Sequence, residues 1–447
     1  MIKWKKNNQK YLRRKSGITL VALVITIIVL LILAGVALST LTGNDSIIQN
    51  AGTAVEKYNS QQEADEAVLN SIAGYLEQYM TGGPAGGEAP LITTASGIHS
   101  ETKEYQDAKG NKIVVPGGFK VRTDIATTVD KGIVIEDSTG DSNSTGNQFV
   151  WVPIGDIVKS DGTPEHIEFG RYSEFSLTAE PVQYATNNRW NASIPITIKN
   201  YWENTDYTEL TTYRESLFAY NMPNNNATAR DLQTFIENAI ANEGYYIARY
   251  EASFGSGAQI NSVTDGTTSA GSAGVTNQKP AFKQSTDKSD DTDIATVTST
   301  PGMLWNYIRQ GDASLACQNL YAGNEYNGKS YVESDLVNSY AWDTAIMFIQ
   351  KCSEYTTYWD EDDKNGTLHN TGETTDNPCN IYDMKGNLFE WTTEYSSFGS
   401  GNYYSCVFRG GVYGNSGFYT AYRSNIIGTN SYDSFGFRAV LSCSPVS

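Results

Sequence analysis

The chain has 447 residues, enough for one large domain with appendages, and its 39% hydrophobic and 12% aromatic content is that of a folded protein. Its formal net charge of −18 at pH 7 repels phosphate backbones and anionic lipid headgroups, which excludes nucleic acid as a partner of the body. The five cysteines form no CxxC pair and no Cys/His zinc spacing. Their odd number leaves at least one thiol unpaired within the chain. A Cys406–Cys443 disulfide stays open.

Residues 1–17 carry Lys3, Lys5, Lys6, Lys10, Arg13, Arg14 and Lys15 with no acid, a flank that stays on the cytoplasmic side. Residues 18–38 hold no ionisable side chain. About 20 apolar residues span a hydrocarbon core of roughly 30 Å, so this run predicts a membrane helix. Lys15-Ser16-Gly17-Ile18-Thr19-Leu20 resembles the type IV prepilin signal, in which a prepilin peptidase cuts after the glycine. The resemblance implies processing between Gly17 and Ile18, with the pilus assembly machinery as partner. Family members place a glutamate at the fifth mature position, where this chain has Ala22. A plain signal anchor has the same topology. Leu69, Ile72, Leu76 and Tyr79 continue a helical, amphipathic pattern, so 18–80 reads as a membrane and amphipathic helix. The Gly/Pro-rich start of 81–100 ends it in a linker.

From residue 101 short apolar runs alternate with Gly, Asn and Asp. Runs at 112–118, 132–135, 148–154 and 245–252 predict strands, and 234–242 and 342–352 have helical spacing. The latter presents Ala345, Ile346, Phe348 and Ile349 on one face. Residues 256–299 are dominated by Ser, Thr, Gly, Asp and Asn and read as a long surface insertion. Residues 101–447 thus predict one α+β domain whose loops carry function.

NIYDMKGNLFEWTTEY at 380–395, Phe408-Arg409-Gly410-Gly411 and Gly436-Phe437-Arg438 resemble, in that order, the formylglycine-generating, sulfatase-modifying family, whose fold is a variant of the C-type lectin fold. The resemblance implies that fold for 101–443, with 147–153 and 245–251 as early strands. It also implies a structural calcium near Asn387 and Glu390. Hard oxygen ligands suit that ion, but two side chains fall short of the six to eight oxygens it takes. A hydrogen-bonded turn that pins the core is the other reading of the same residues. No other cofactor is required.

The family's enzymes place two reactive cysteines shortly after the Arg-Gly-Gly turn. Residues 412–423 contain none, Cys406 precedes the turn and Cys443 follows the last strand, so the family's thiol chemistry is not expected here and the chain is not read as an enzyme. HExxH, GxxxxGK[ST] and GxSxG are also missing. His99, His166 and His369 sit in polar contexts and read as solvated loop residues. Residues 141–146 mimic the start of an EF-hand loop, but its twelfth position is Val152, so they read as a turn. The acidic run 361–366 reads as a solvated loop.

Residues 396–447 contain no Lys, Glu, Gln, Met, Trp or His. Tyr403, Tyr404, Tyr413, Asn415, Phe418, Tyr419, Tyr422, Asn425, Asn430, Tyr432 and Asp433 are interleaved there with a frame of Arg409, Gly410, Gly411, Arg423, Gly436, Phe437 and Arg438. Tyrosine offers large, rigid contact area at small entropic cost, and Ser, Gly and Asn add adaptable hydrogen bonds. This alphabet resembles the variable proteins of diversity-generating retroelements, which randomise adenines in AAC-type codons and so yield Asn, Tyr, Ser, Phe, Asp, Gly, Ala or Thr but not Lys, Glu, Gln, Met or Trp. The resemblance implies a variable region at 396–438. An ordinary loop-rich β region with few charges is the bland alternative.

The expectation is a surface-displayed, adhesin-like binding protein, anchored in a bacterial membrane or a pilus, whose C-terminal face holds a protein or glycan ligand on a cell or phage. A minor pilin without ligand, or an enzyme of the sulfatase-modifying superfamily, are the alternatives.

Overall fold

The computed structural model describes residues 89–95, 97–138, 145–181, 193–199, 210–217, 219, 227–255, 280–285, 302–321, 332–363, 366–397, 404–415 and 417–446. They belong to the unit Glu88–Ser447, which is distinct from Met1–Gly87. The leader, the membrane and amphipathic helix expected over 18–80, and the processing site at Gly17 and Ile18 lie outside the described residues. Among the described residues no helix is long and apolar enough to cross a membrane.

The chain enters as the hairpin β1 (Lys103–Gln106) and β2 (Lys112–Val115), then β3 (Phe119–Val121), β4 (Val134–Asp137) and β5 (Gln148–Pro153). The hairpin β6 (Gly155–Val158) and β7 (Pro164–Ile167) follows, then β8 (Ser193–Lys199) and β9 (Leu210–Ser216). Helix α1 (Leu232–Ala241) leads into β10 (Gly244–Ala248), and β11 (Ser253–Phe254) pairs with β12 (Pro280–Ala281). Helix α2 (Gln310–Asn319), β13 (Val332–Leu336) and helix α3 (Ser339–Cys352) precede the final strands, β14 (Phe389–Ser397), β15 (Tyr404–Arg409), β16 (Arg423–Ile426), β17 (Phe435–Phe437) and β18 (Ala439–Cys443).

Two six-stranded sheets organise these elements. One, in the order β13-β18-β10-β5-β4-β3, is antiparallel throughout. The other runs β16-β15-β14-β9-β8, with β17 parallel to β14. Successive side chains of β10 face opposite sides of the first sheet, as strand geometry requires. Tyr245 meets Phe235 of α1 at 5.5 Å and donates to the Ala341 carbonyl of α3 at 2.6 Å. Tyr246 packs on Trp151 at 5.0 Å and donates to the Val114 carbonyl of β2 at 2.8 Å. Both faces are therefore covered, which is why β5 and β10 read as apolar runs without alternation.

Both predicted helices form and start earlier than their apolar spacing suggests. The Asp231 side chain accepts from the Thr234 N–H at 3.0 Å and caps α1; Asn338 does the same for α3 through Ala341 at 2.9 Å. The run at 245–252 yields a shorter strand, since beyond Ala248 the chain turns and the Ala252 N–H donates to the Phe437 carbonyl. Within the expected insertion at 256–299, β12 pairs in register with β11. Phe282 anchors that segment, buried against Phe149 at 5.9 Å and Phe437 at 6.3 Å. One apolar residue in a polar stretch is invisible to a compositional reading.

Candidate functional site

The last two strand connections of the second sheet are held by buried charge. A register shift between Trp391 and Tyr395 in β14 accompanies a run in which Thr392, Thr393 and Glu394 are all fully buried. Arg423 at the start of β16 donates from Nε to Glu394 Oε2 at 2.8 Å and from Nη2 to Asp343 Oδ2 of α3 at 2.7 Å. Arg409 at the end of β15 donates from Nη2 to Asp343 Oδ1 at 2.6 Å and from Nε to the Tyr422 carbonyl at 3.0 Å. Arg171 pairs with the other oxygen of Glu394.

Burial alone pushes the Asp343 carboxyl up, but Arg409 and Arg423 outweigh it and hold the group below the usual carboxylate range. Glu215 lies beside this frame, accepting from Thr393 and from the Ser339 N–H, and burial and the nearby Glu394 push it up to about 7 against the pull of Arg171. Such a frame positions loops rigidly, since each buried charge is tied to a partner from another element.

From the frame the chain turns outward at Gly410-Gly411. A Cβ on Gly411 would sit 1.9 Å from the Lys385 carbonyl oxygen, so no side chain fits there. The loops that follow carry the predicted contact residues, and the structure sorts them. Asn415 is exposed; Tyr413, Tyr419, Asn425, Tyr432 and Asp433 are half-buried. Tyr413 donates from Oη to Asp433 Oδ2 at 3.1 Å, which joins the two loops.

Two residues depart from the expectation of a contact surface. Tyr422 is buried, 6.1 Å from both Phe389 and Phe408, and Asn430 is buried with Nδ2 directed at Tyr432 Oη at 3.3 Å. Phe418 is half-buried and directs its ring inward, 4.9 Å from Tyr422 and 5.1 Å from Phe389. Tyr422 and Phe418 build the platform beneath the face, because aromatic surface next to an apolar cluster is more stable buried than wet. Tyr403 lies outside the described residues; Tyr404 opens β15, and its backbone alone is described.

The acidic loop expected to be merely solvated is a neighbour of this face. Asp362 bridges Tyr419, the Thr420 N–H donates to the Glu361 carbonyl at 2.9 Å, and the Ala421 N–H donates to the Trp359 carbonyl at 3.1 Å. Sequence separation of almost sixty residues hid this contact.

Asn387 and Glu390 face protein partners rather than each other. Asn387, at φ 62°, donates from Nδ2 to Glu251 and accepts the His369 N–H on Oδ1 at 3.1 Å. Glu251 Oε1 also takes the Leu388 N–H at 3.0 Å. Glu390 receives Arg438 Nε at 2.8 and 2.6 Å on its two oxygens, and Arg438 Nη2 as well. Their geometry is that of a hydrogen-bonded turn and a buried ion pair, the second of the two readings that the sequence offered for these residues. Among the described residues no group of three or more His, Cys, Asp or Glu side chains is arranged to hold a metal ion.

His369 departs from the solvated role expected of it. It packs beside Asp383 with Nε2 at 3.1 Å from Oδ1, and although burial lowers its pKa, that carboxylate raises it further, for a net rise. It lines a polar cavity of about 210 Å³ together with Tyr355, Asp363, Asp376, Asp383 and Lys385. Burial pushes Asp376 up to about 7 against the pull of Lys385, whose Nζ is 3.6 Å away.

All five cysteines are buried and unpaired. The Cys406–Cys443 disulfide left open by the sequence is not formed; Cys406 lies in β15 of one sheet and Cys443 in β18 of the other. Burial pushes the Cys406 thiol far up and Cys443 up to about 12.

These elements, from most of α2 to β18, coincide with a sequence match to a known family. Residues 312–443 match the FGE-sulfatase family, the sulfatase-modifying factor enzyme 1-like domain. The FGE-sulfatase-like domain includes β13 and β18, which continue through β10, β5, β4 and β3 in one sheet, so the fold extends N-terminally beyond the matched residues. No curated protein matches the chain. Among solved structures, one described as the crystal structure of CarF aligns at 15% identity over 32% of this chain and 67% of that chain, with a TM-score of 0.24.

Proposed function

We propose that this protein is a surface-displayed binding protein. In this reading a pilin-type N-terminal segment, processed between Gly17 and Ile18, anchors the chain in a bacterial membrane or pilus, and the FGE-sulfatase-like head presents Tyr413, Asn415, Tyr419, Asn425, Tyr432 and Asp433 to a protein or glycan ligand on a cell or phage. The observation that carries it is the division of the C-terminal aromatic set. Phe418 and Tyr422 pack on Phe389, while Asn415 is exposed and Tyr413, Tyr419, Tyr432 and Asp433 on the loops, with Asn425 in β16, keep part of their surface open above the frame of Arg409, Asp343 and Arg423. Rigid loops carrying tyrosine lose little entropy on binding.

The same residues support diversification by a retroelement, because most of the candidate positions lie in the connections between β15 and β16 and between β16 and β17 while the arginine frame stays constant. Reaction chemistry has weaker support. The stretch 412–423 lacks the family's cysteine pair, and the existing thiols are buried and held protonated. The His369–Asp383 cavity favours an enzyme, yet Asp383 already accepts from Thr371 at 2.9 Å, Thr374 at 2.8 Å and the Gly372 N–H at 3.2 Å, as a structural hub does.

The test compares the full chain with a Tyr413→Ala, Tyr419→Ala, Tyr432→Ala triple variant for binding to bacterial cells, phage particles and a glycan array. Loss of binding with an unchanged circular dichroism spectrum is expected. Equal binding by the variant points to a minor pilin that does not use this face. Diversification is checked in the neighbouring DNA, which must hold a reverse transcriptase and a near-identical repeat differing at adenines.

A further inference from the structure

A second cavity, of about 530 Å³, opens at the C-terminal end of α3, and Cys352, Cys379, Asp130, Lys131 and Lys159 are among its lining residues. Cys352 is the last residue of α3. Cys379 sits in the 3-10 turn Pro378–Asn380 with φ 49° and ψ 32°, a left-handed conformation that a non-glycine residue keeps only where its surroundings impose it. Here they do. Asn380 Nδ2 donates to the carbonyls of Lys131 and Gly132 at 2.8 and 2.9 Å, and the Cys379 carbonyl lies so near Gly132 that a Cβ there would come within 1.9 Å of it. Cys379 Sγ rests 3.7 Å from the Asp130 carbonyl.

Helix α3 and the turn Pro378–Asn380 pack on each other, and both cysteines line the cavity at that junction. Cys317, Cys406 and Cys443 line neither of the two cavities described. The structure therefore singles out one pair of thiols, brought to one cavity by a strained and pinned turn.

We propose that Cys352 and Cys379 are a redox pair that closes to a disulfide at this cavity, tying the end of α3 to the turn that leads into the 380–395 motif. The oxidant is a low-molecular-weight disulfide. The thiolate of one cysteine attacks it and releases one small thiol; the thiolate of the second then displaces the other small thiol from the mixed disulfide. Two thiol protons and two electrons leave the protein on two small-thiol molecules. Burial holds both thiols protonated, with Cys352 pushed up to about 12, so exchange in the native state is slow and closure belongs to folding. The pair does not depend on what the Tyr/Asn face binds.

The full chain in detergent micelles is unfolded, reduced and refolded with and without a reduced/oxidised glutathione mixture, then alkylated and mapped by mass spectrometry. One cross-linked peptide pair joining residues 352 and 379 is expected, with a native circular dichroism spectrum. Reduction should lower the melting temperature by on the order of 5 °C in the wild type and leave Cys352→Ser unchanged. Recovery of both cysteines as separately alkylated thiols in oxidised, natively folded protein overturns the proposal. So does a 352–379 cross-link found only in misfolded material.

Discussion

Asp343 is the keystone of the frame under the C-terminal loops, and Asp343→Asn tests whether that frame is what holds them. The carboxylate is fully buried, and it accepts from Arg409 at 2.6 Å, from Arg423 at 2.7 Å and from the Tyr172 N–H at 2.9 Å. An asparagine keeps the shape, removes the charge and turns two donors toward groups that are themselves donors. Arg171, Arg409 and Arg423 are then left with Glu394 and the partly protonated Glu215. Breaking a buried pair on one side costs about 3–5 kcal/mol, because the remaining charge stays desolvated. For a unit of this size that corresponds to a fall in melting temperature on the order of 5–10 °C. Unfolding is followed by tryptophan fluorescence, since the Trp342 ring lies 5.7 Å from the Arg409 guanidinium. The surface pair Lys112–Glu104, at 3.1 Å, serves as the control, and Glu104→Gln should change stability by under about 1 kcal/mol. If Asp343→Asn loses as little as that control, the buried frame is not what holds the loops.

Glu215 gives a pH dependence of known sign. Its folded pKa is raised to about 7, so the native state binds more protons than the unfolded chain between the ordinary glutamate value of 4.5 and 7, and stability falls as pH rises through that window. Glu215→Gln should remove on the order of 3 kcal/mol of that fall, leaving the variant the more stable protein at pH 8. Denaturant midpoints measured from pH 5 to pH 8 check it, and parallel curves for the two proteins contradict it. Gly411→Ala places a methyl 1.9 Å from the Lys385 carbonyl oxygen and must displace the loop that carries Tyr413. Overpacking of this kind costs about 1–3 kcal/mol, and ligand binding should fall with it in the assay used for the tyrosine variant.

Much of the fold was legible because its signals are local. The apolar runs that became β5 and β10, the spacing of α1 and α3, and the glycines after Arg409 each report on neighbours within a few residues. Their boundaries were less legible, since the caps at Asp231 and Asn338 lie outside the apolar pattern. The candidate face was legible as a composition but not as a surface. Nothing local distinguishes Tyr419, which stays half-buried at the rim, from Tyr422, which is buried beside Phe389.

By itself the sequence determined the basic leader with its uncharged run, the family motifs at 380–395, 408–411 and 436–438, and the missing cysteines of 412–423. Tertiary structure alone decided the rest. It paired Arg423 with Asp343 across eighty residues, gave Asn387 and Glu390 to Glu251 and Arg438, set the acidic loop against Tyr419, and placed Cys352 and Cys379 on one cavity while parting Cys406 from Cys443. The physical reason is that periodicity and turn chemistry are properties of adjacent residues. Whether a charge finds its counter-charge, or a tyrosine its cover, depends on which distant segments the sheets bring together.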